Sequence, residues 1–276
     1  MKVSVLMAAY NSNIGYLQET IDSILSQSFA DFELIIVDDG SKEPLEPIIM
    51  KMTQDNRVVV YRKENTGLGS SLTYGIERAR GEFIARIDDD DVSVPDRLQR
   101  QVDFLDEHPE VSCVGGHIYY RCDNKIYPHP RFPLQHEKII KRLVTMHFSM
   151  AHTTLMYRRD AVKKVGCYRI AKGNEDLDLL LQLGTVGRLA NIDEYLTYYR
   201  LTSTGLSVTS PQKADAYTFA LESALEYQGY SPYYSEIKNS INLLKKGDHK
   251  SLLNRIGLSE RSVLMWITKY FGKRLS

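Results

Sequence analysis

Short, nearly continuous runs of apolar residues recur along the N-terminal third of the chain. They lie at Val3–Ala9, 32–37 (FELIIV), 58–61 and 83–87. Apolar runs of about four to eight residues predict strands that are buried on both faces. The pattern therefore predicts a series of core strands.

The segments between these runs have helical spacing. The first places Leu17, Ile21 and Ile24 on one face, Leu45–Met52 forms a second helix, and the glycine-rich ENTGLGSS opens a third that continues to about Arg80. Buried strands that alternate with amphipathic helices predict a parallel sheet covered by helices on both sides. The expected fold class is α/β, with a Rossmann-type, mostly parallel central sheet.

Beyond Val111 the pattern changes. VSCVGGHIYY predicts a longer strand with an antiparallel neighbour, HTTLMYRR a short strand, and GRLANIDEYLTYYR a strand that closes the core. HEKIIKRLVTMHF and NEDLDLLLQLG have helical periodicity, with Leu177, Leu180 and Leu181 of the second facing inward. From about Pro211 the pattern is mostly helical, which predicts a helical C-terminal extension.

Polar clusters follow three of the predicted strands. AAYN ends the first strand, DDGS the second, and DDDD (88–91) the strand at 83–87. Ligands of open α/β sheets bind beyond the carboxyl ends of the strands. We therefore expect one site along this rim.

The four consecutive carboxylates at 88–91 need a counter-charge. Two carboxylates ~6 Å apart repel by roughly 3 kcal/mol at an effective dielectric near 20. A solvated turn is one explanation, but an apolar strand leads directly into the cluster. Mg²⁺ or Mn²⁺ is commonly held by one or two carboxylates together with phosphate oxygens and water. A dication that carries a diphosphate is the functional alternative.

Other nucleotide and cation motifs are absent from the sequence. The acidic run lacks the D-x-D-x-D-G loop and final Glu of an EF-hand, and ENTGLGSS lacks the G-K-[ST] of a P-loop. The first strand is followed by AAYNSN and not by G-x-G-x-x-G. These absences argue against ATPases and NAD-dependent enzymes.

Composition limits the partners and the compartment. Lys+Arg and Asp+Glu each total 35, so no global field favours nucleic acid. MKVSVLMAAYNSN predicts a core strand and not a signal peptide, and no apolar run is long enough to span a bilayer. Cys113, Cys122 and Cys167 lack metal-ligand spacing, which indicates reduced thiols and a cytoplasmic protein.

Four segments agree in order and spacing with the motifs of a known family. They are SVLMAAYNSNIGYLQETIDSILSQSFADFELIIVDDGS, NTGLGSSLTYGIERARGEFIARIDDDDVSVPDRL, HTTLMYRRDAVKKVGCYR and NEDLDLLLQLG. They resemble the family 2 glycosyltransferases, which have the GT-A fold. The resemblance implies a catalytic domain at 1–205, with a nucleotide-sugar half at about 1–110 and an acceptor half at about 111–205. Residues 206–276 would form the helical extension.

The resemblance implies a donor site built from strand ends and the glycine-rich turn. Its candidate residues are Ala8, Ala9, Tyr10, Asp38, Asp39, Gly67, Asp88, Asp89 and Arg200. Tyr10 would lie near the base or ribose, Asp39 would accept a hydrogen bond from the uracil or ribose, and Arg200 would reach the diphosphate. Asp38 is similarly placed, with a turn or helix cap as the structural alternative.

Within DDDD, Asp88 and Asp90 match the family's D-x-D element. The resemblance implies Mn²⁺ or Mg²⁺ as cofactor, with Asp90 as the first metal ligand. Asp88 would contact the ribose or the metal, and Asp91 would be a further metal partner. Asp89 occupies the variable middle position.

NEDLDLLLQLG matches the acidic motif that precedes the acceptor-site helix of the family. Asp176 is then the candidate general base, and Glu175 and His152 are candidate acceptor-binding residues. The structural alternatives are carboxylates that favour a helix N-terminus and a packed core histidine. Direct displacement by the acceptor hydroxyl would invert the anomeric centre.

Two positions depart from the family pattern. Leu72-Thr73 stands where relatives often carry Arg-Asn, and Thr202 where they often carry a histidine. A basic contact to the diphosphate is then either missing or supplied by another residue, such as Arg62, Arg86 or Arg200. A third metal ligand from the loop around Thr202 is not expected.

The C-terminal RSVLMWITKYFGKRLS sets apolar residues along one helical face, with cations around it. Such a helix could pack on the catalytic domain, on a second subunit of a homo-oligomer, or on the inner surface of the cell membrane. The membrane alternative suits an enzyme that acts on lipid-linked sugars.

Together these features predict an inverting, metal-dependent glycosyltransferase. It would move a sugar from a nucleotide-sugar donor, a UDP-sugar above all, to a saccharide or lipid-linked saccharide in surface polysaccharide synthesis. A catalytically silent nucleotide-sugar-binding protein is the main alternative, supported by the departures at Leu72, Thr73 and Thr202. A nucleotidyltransferase is a third, but AAYNSN is not its glycine-rich, basic loop.

Overall fold

The computed structural model of the chain describes residues 1–122, 125–171, 173–201 and 213–246. One twisted sheet forms its centre. In chain order the strands are β1 (Val3–Ala9), β2 (Phe32–Asp38), β3 (Val58–Arg62), β4 (Phe83–Arg86), β5 (Val92–Ser93), β6 (Val111–Cys122), β7 (Lys125–Pro128), β8 (Met156–Arg158) and β9 (Arg188–Arg200).

Helices cover both faces of this sheet. In the described residues they are α1 (Ile14–Leu25), α2 (Leu45–Met52), α3 (Leu68–Arg78), α4 (Arg97–Glu107), α5 (His136–Val144), α6 (Arg159–Lys164), α7 (Glu175–Val186), α8 (Lys213–Ala224) and α9 (Tyr234–Lys245). Two short 3-10 helices lie at His152–Thr154 and Gln228–Tyr233. The predicted strand over HTTLMYRR is therefore only half right, because its first residues form a 3-10 turn.

The strand order is β3-β2-β1-β4-β8-β6-β9-β5, with β7 paired to β6. The first four strands are parallel, and β8 runs antiparallel to both of its neighbours. The long strand β6 has the expected antiparallel neighbours, β7 and β8, and pairs in parallel with β9. The prediction of an α/β fold with a mostly parallel sheet is confirmed.

Apolar side chains fill two core layers, one on each face of the sheet. One layer packs α1, α2 and α4 against residues such as Val5 and Met7, and the other packs α3, α5 and α7 against residues such as Leu6 and Ile84. Because successive strand residues point to opposite faces, β1 supplies both layers. The expected inward face of α7 is confirmed, since Leu177, Leu180 and Leu181 are all buried.

The described part of the C-terminal extension shares the core of the sheet. Leu221 of α8 and Ile237 of α9 are fully buried in the same layer as Leu6. The hydroxyl of Tyr230 donates to the Leu181 carbonyl of α7 at 2.5 Å. The predicted boundary near residue 205 stays a prediction.

Two sequence predictions lie outside the described residues. They are the departure at Thr202 and the amphipathic helix near the C-terminus, with its membrane or subunit contact. Within the described ranges, no helix combines the length and the apolarity that a bilayer crossing requires.

Candidate active site

The polar strand ends converge along one rim, as the sequence predicts. Ala9 of β1 pairs with Asp38 of β2, which pairs in turn with Arg62 of β3. The Asp39 N–H donates to the Ala9 carbonyl at 2.9 Å. Beside them Tyr10 is 52% exposed, so its ring is available to a ligand.

Asp38 is fully buried, and its carboxylate is engaged by the protein. One oxygen accepts the Ser41 N–H at 2.8 Å, and the other accepts the Leu45 N–H at 3.2 Å. The second oxygen also pairs with Arg62 at 2.7 Å. These bonds close the DDGS turn and hold the start of α2, as the structural alternative for Asp38 requires.

Asp39 ties the second strand end to the glycine-rich turn. Its carboxylate accepts the N–H groups of Thr66 at 3.0 Å and Gly67 at 2.9 Å, and it pairs with Lys63. Burial by itself would raise the pKa of Asp39, but these hydrogen bonds hold it below its usual value. Gly67 has φ = 99°, a conformation that favours glycine.

Lys63 is a site residue that sequence analysis missed. Besides Asp39, its ammonium donates to the hydroxyls of Thr66 and Ser71. The only sequence signal was its position, directly after the third strand and beside ENTGLGSS. A lysine near a strand end is usually solvated, so only the tertiary contacts single it out.

At the tip of β4, Asp88 forms a two-pronged ion pair with Arg86. Both terminal guanidinium nitrogens of Arg86 donate, one to each oxygen of Asp88. Arg86 is 2% exposed, whereas the Asp88 side chain is 28% exposed. The carboxylate therefore faces the rim while its counter-ion lies beneath it.

Asp89 and Asp90 lack such a partner. The Ser12 hydroxyl donates to Asp89, and no described residue donates to the carboxylate of Asp90. Burial first, then the charge of Asp88, raises the pKa of Asp89 to about 6. Burial with the charges of Asp88 and Asp89 raises that of Asp90 to about 7.

Asp91 is fully buried behind this tip. One of its oxygens accepts the Arg200 N–H at 2.8 Å, and the other has no hydrogen-bond partner among the described residues. Burial and the charges of Asp88 and Asp90 raise its pKa well above the usual value. The Arg200 guanidinium donates to the Asp90 carbonyl at 2.8 Å and pairs with Glu19 at 2.9 Å.

This chemistry fits a divalent cation that is completed by a ligand. Among the described residues, no three His, Cys, Asp or Glu side chains converge as a ready metal site. The crowded carboxylates at 88–91 instead have raised pKa values and one orphaned buried oxygen, on Asp91. Mg²⁺ and Mn²⁺ sites of one or two carboxylates take their remaining ligands from phosphate and water. Asp90 and Asp88 would hold the ion, and Asp91 would support them.

A second acidic group lies at the start of α7. Burial and the charge of Asp176 raise the pKa of Glu175 to about 7. Its Oε1 lies 4.0 Å from Nδ1 of His152, whose Nε2 lies 2.7 Å from the Tyr168 hydroxyl. Burial and the charge of Arg86 lower the pKa of His152 well below its usual value, so this imidazole is neutral at pH 7.

Asp176 itself is partly exposed on the first turn of α7, and its carboxylate accepts the Leu177 N–H at 2.9 Å. Asp178 differs from it. Asp178 is 1% exposed and pairs with Arg169, and it also accepts from Gln182 at 2.9 Å. Asp176 is thus less buried than Glu175 and Asp178.

Tight packing joins the glycine-rich turn and α3 to the segment that precedes α7. The Gly69 N–H donates to the Ala171 carbonyl at 3.0 Å, and the Tyr168 N–H donates to the Thr73 hydroxyl at 3.2 Å. Leu72 is fully buried in the core. The two residues that depart from Arg-Asn therefore have structural contacts: Leu72 packs in the core, and Thr73 holds the main chain at Tyr168.

Comparison with known proteins agrees with this fold. A family model described as glycosyl transferase family 2 matches residues 4–166. An uncharacterized glycosyltransferase of Haemophilus influenzae is 32% identical over 238 residues, which cover 83% of this chain and 88% of that protein. The O-antigen biosynthesis glycosyltransferase WbnJ of Escherichia coli is 33% identical over 205 residues, 72% of this chain and 79% of its own.

Solved structures share the fold at low identity. S. aureus TarS 1-349 in complex with UDP-GlcNAc has a TM-score of 0.73 and 19% identity over 97% of this chain and 79% of that chain. The mannosyltransferase PcManGT from Pyrobaculum calidifontis, in complex with GDP-Man and Mn2+, has a TM-score of 0.68 and 14% identity over 97% of this chain and 79% of its own. The resemblance noted in the sequence is confirmed: the chain belongs to glycosyltransferase family 2 and has the GT-A fold.

Proposed function

We propose that this chain is an inverting, metal-dependent glycosyltransferase that uses a UDP-sugar as donor. The observation that carries the proposal is the proximity of its two acidic groups. The turn at His152–Thr154 lies between them: Nδ1 of His152 lies 4.0 Å from the Glu175 carboxylate at the start of α7, and the Leu155 carbonyl that follows this turn accepts the Arg86 N–H of β4 at 2.8 Å. At this separation the charges of Arg86 and Asp88 influence the pKa of Glu175. A donor diphosphate at the tip and an acceptor hydroxyl at α7 would then meet in one site.

The donor half of the proposal rests on the rim. The ionised Asp39, the backbone of Gly67 and the exposed ring of Tyr10 surround the ends of β1 and β2. Such groups suit a base and ribose, with hydrogen bonds at one end and a flat ring for stacking. TarS with UDP-GlcNAc supports a UDP-sugar, and PcManGT with GDP-Man supports nucleotide sugars in general.

The metal half rests on Asp88 and Asp90, with Asp91 behind them. When bound, a dication would neutralise these carboxylates and stabilise negative charge on the departing diphosphate. Ionised carboxylates are needed for this, and the raised pKa of Asp90, about 7, would fall once a cation is present. The Mn2+ in PcManGT supports this choice of ion.

In the transfer step, Asp176 accepts the proton of the acceptor hydroxyl. The acceptor oxygen forms a bond to the anomeric carbon while the bond to the diphosphate oxygen breaks, so the configuration inverts. A carboxylate is a weak base toward an alcohol, so the proton moves late and contributes ~10²–10⁴ in rate. Glu175 and the neutral His152 would orient the acceptor sugar.

The acceptor we propose is a saccharide or lipid-linked saccharide of a surface polysaccharide. The biosynthetic relatives support this class, namely the O-antigen enzyme WbnJ and the amylovoran enzyme AmsE of Erwinia amylovora. Cytoplasmic location, a peripheral membrane contact and self-association remain predictions from the sequence.

One alternative has a specific observation behind it. Leu72 is buried in the core and Thr73 accepts the Tyr168 N–H, so these two positions do not supply the family's usual basic contact to the diphosphate. A silent nucleotide-sugar-binding protein would keep the donor site and show no turnover. Release of UDP in the presence of acceptor separates the two.

A nucleotide-sugar screen by thermal shift, with and without Mn²⁺, tests the proposal directly. We expect the largest stabilisation from UDP-sugars together with Mn²⁺. Asp90→Ala should then weaken Mn²⁺-dependent UDP binding by about tenfold or more, roughly 1.4 kcal/mol or more, in calorimetry. Asp103→Ala, on the exposed face of α4, is the control and should bind like the parent. Unaltered Mn²⁺-dependent affinity in Asp90→Ala would overturn the ligand assignment.

A further inference from the structure

Arg86 is a buried cation in a strand that is otherwise apolar. Its neighbours on β4, Phe83, Ile84 and Ala85, are all fully buried, and Arg86 itself is 2% exposed. A buried charge is costly unless it is paired and hydrogen-bonded. Its placement directly before the acidic tip therefore points to a use at that tip.

The main chain at Arg86 is fixed from two sides. Its N–H donates to the Leu155 carbonyl at 2.8 Å, and its carbonyl accepts from the guanidinium of Arg97 at 2.6 Å. Arg97 is fully buried and is itself held by Gln101 at 3.0 Å. The main chain at this strand end is therefore held in place, and the Arg86 guanidinium pairs with the carboxylate of Asp88.

In this ion pair both terminal nitrogens of the Arg86 guanidinium donate, and both oxygens of Asp88 accept. A planar guanidinium holds a carboxylate in one plane and one direction. The third nitrogen, Nε, has no partner among the described residues.

Arg62 and Arg200, the other two arginines that could replace the missing basic contact to the diphosphate, pair with other carboxylates. Arg62 binds the Asp38 carboxylate and the Ser41 carbonyl. Arg200 binds Glu19 and stacks 3.9 Å from the ring of Tyr16. Arg200 also reaches the D-x-D element, but through the main-chain carbonyl of Asp90, at 2.8 Å. Of the three arginines, only Arg86 pairs with a carboxylate of that element.

We propose that Arg86 is a positioning residue that works through Asp88. Because both oxygens of Asp88 accept hydrogen bonds from Arg86, Asp88 binds the dication less strongly than an unpaired carboxylate would. Asp90 is then the principal ligand. Its buried charge also offsets the carboxylates, so that the tip accepts a nucleoside diphosphate and not a cation alone. This inference rests on the proposed function, in which Asp88 and Asp90 face metal and diphosphate.

The proposal predicts effects of opposite sign when Arg86 is replaced. Without it, Asp88 is released and the tip gains one net negative charge. A dication alone should then bind more tightly, whereas the anionic UDP should bind more weakly at saturating Mn²⁺. A general packing defect would weaken both.

The test measures Mn²⁺ alone by electron paramagnetic resonance and UDP at saturating Mn²⁺ by calorimetry. For Arg86→Met we expect the Mn²⁺ Kd to fall by about threefold or more and the UDP Kd to rise by about tenfold or more, as for one nearby charge. Arg86→Lys keeps the charge and loses the fork, so both constants should lie between those of Arg86→Met and the parent.

Arg158→Met is the matched control. Arg158 lies on the neighbouring strand β8 and donates only to the backbone carbonyls of Leu105, His108 and Val111. It should lower stability and leave both Kd values unchanged. Weaker Mn²⁺ binding together with weaker UDP binding in Arg86→Met, or parent-like values for both, would overturn the inference. Should Arg86→Met fail to fold, parent-like constants in Arg86→Lys would overturn it equally. A parent that binds neither Mn²⁺ nor UDP would instead overturn the proposed function, and this inference with it.

Discussion

The aspartates of this site differ in their pKa values and roles because their hydrogen-bond and ion-pair partners come from different parts of the sequence. Asp38 closes a turn with Arg62, and Asp39 is paired with Lys63. Asp90 has a raised pKa because it is buried beside the charges of Asp88 and Asp89, which outweigh the opposing charges of Arg86 and Arg200. Each carboxylate is the same chemical group, so its role follows from its partners and its burial.

At this scale the base assignment gives a direct prediction. Asp176→Asn should keep UDP affinity near that of the parent and reduce the rate of sugar transfer by about 10²–10⁴, because the amide cannot accept the proton. Initial rates of UDP release with acceptor, and calorimetry with UDP and Mn²⁺, measure the two effects.

Asp160→Asn is the control for Asp176→Asn. Asp160 also lies in the first turn of a helix, α6, and is exposed. It should leave the transfer rate unchanged, so a loss cannot be ascribed to helix electrostatics alone. Turnover in Asp176→Asn that equals that of the parent would end the base assignment.

At the scale of elements, the start of α3 joins two distant parts of the chain. Its N-terminal turn is held to β2 through Gly67 and Asp39, and to the segment before α7 through Gly69 and Ala171. A side chain at Gly69 would collide with that segment, since a Cβ there would lie 2.0 Å from the Ile170 carbonyl oxygen. Glycine is therefore needed at this position for close approach of two backbones.

Gly69→Ala should lower the free energy of unfolding by about 1–3 kcal/mol, the usual cost of overpacking. Urea denaturation measures this loss. In Gly229→Ala, by contrast, the new Cβ would meet nothing within 4 Å, so its unfolding should match that of the parent. Equal midpoints for both variants would mean that the junction can move apart.

At the scale of the whole molecule, the acidic tip opposes the stability that the two core layers supply. The raised pKa values are about 6 for Asp89, about 7 for Asp90 and about 7 for Glu175. Above the ordinary pKa of each group, 3.8 for Asp and 4.5 for Glu, the folded state binds more protons than the unfolded state. These groups therefore make the ligand-free protein less stable as pH rises toward about 7.

Burial lowers the pKa values of His129, to about 4, and of His152, so these two groups add stability as pH rises toward their ordinary pKa of 6.5, whereas the carboxylates remove it. We accordingly expect the contribution of the carboxylates to the unfolding free energy of the ligand-free protein to fall between about pH 4 and pH 7. Asp90→Asn should flatten this dependence and raise the Tm near pH 8 without ligand. The lowered pKa of Asp39 acts only below its ordinary value of 3.8, outside this window. Urea unfolding of parent, Asp90→Asn and Asp103→Asn across the pH range is the measurement. A parallel pH dependence in parent and Asp90→Asn would contradict the prediction.

Much of the fold could be predicted from the sequence, because apolar runs and helical spacing are local patterns. β1 and α2 have the predicted bounds, and the rim of AAYN, DDGS and DDDD follows from strand ends in a parallel sheet. The 3-10 turn at His152–Thr154 and the end of α3 at Arg78 were not predicted, because turns and helix ends depend on packing as well as on pattern.

By itself, then, the sequence determined the alternation of strands and helices, the family motifs and the candidate acids. The tertiary structure sets how those acids are paired, because their partners come from elsewhere in the chain: the Lys63 ammonium for Asp39, and the Arg200 backbone N–H for Asp91. Arg86 and Asp88 are close in sequence, but the strength of their ion pair depends on how deeply Arg86 is buried, which the order of residues does not give. Charge pairing acts through space over a few ångströms, whereas sequence patterns record neighbours along the chain.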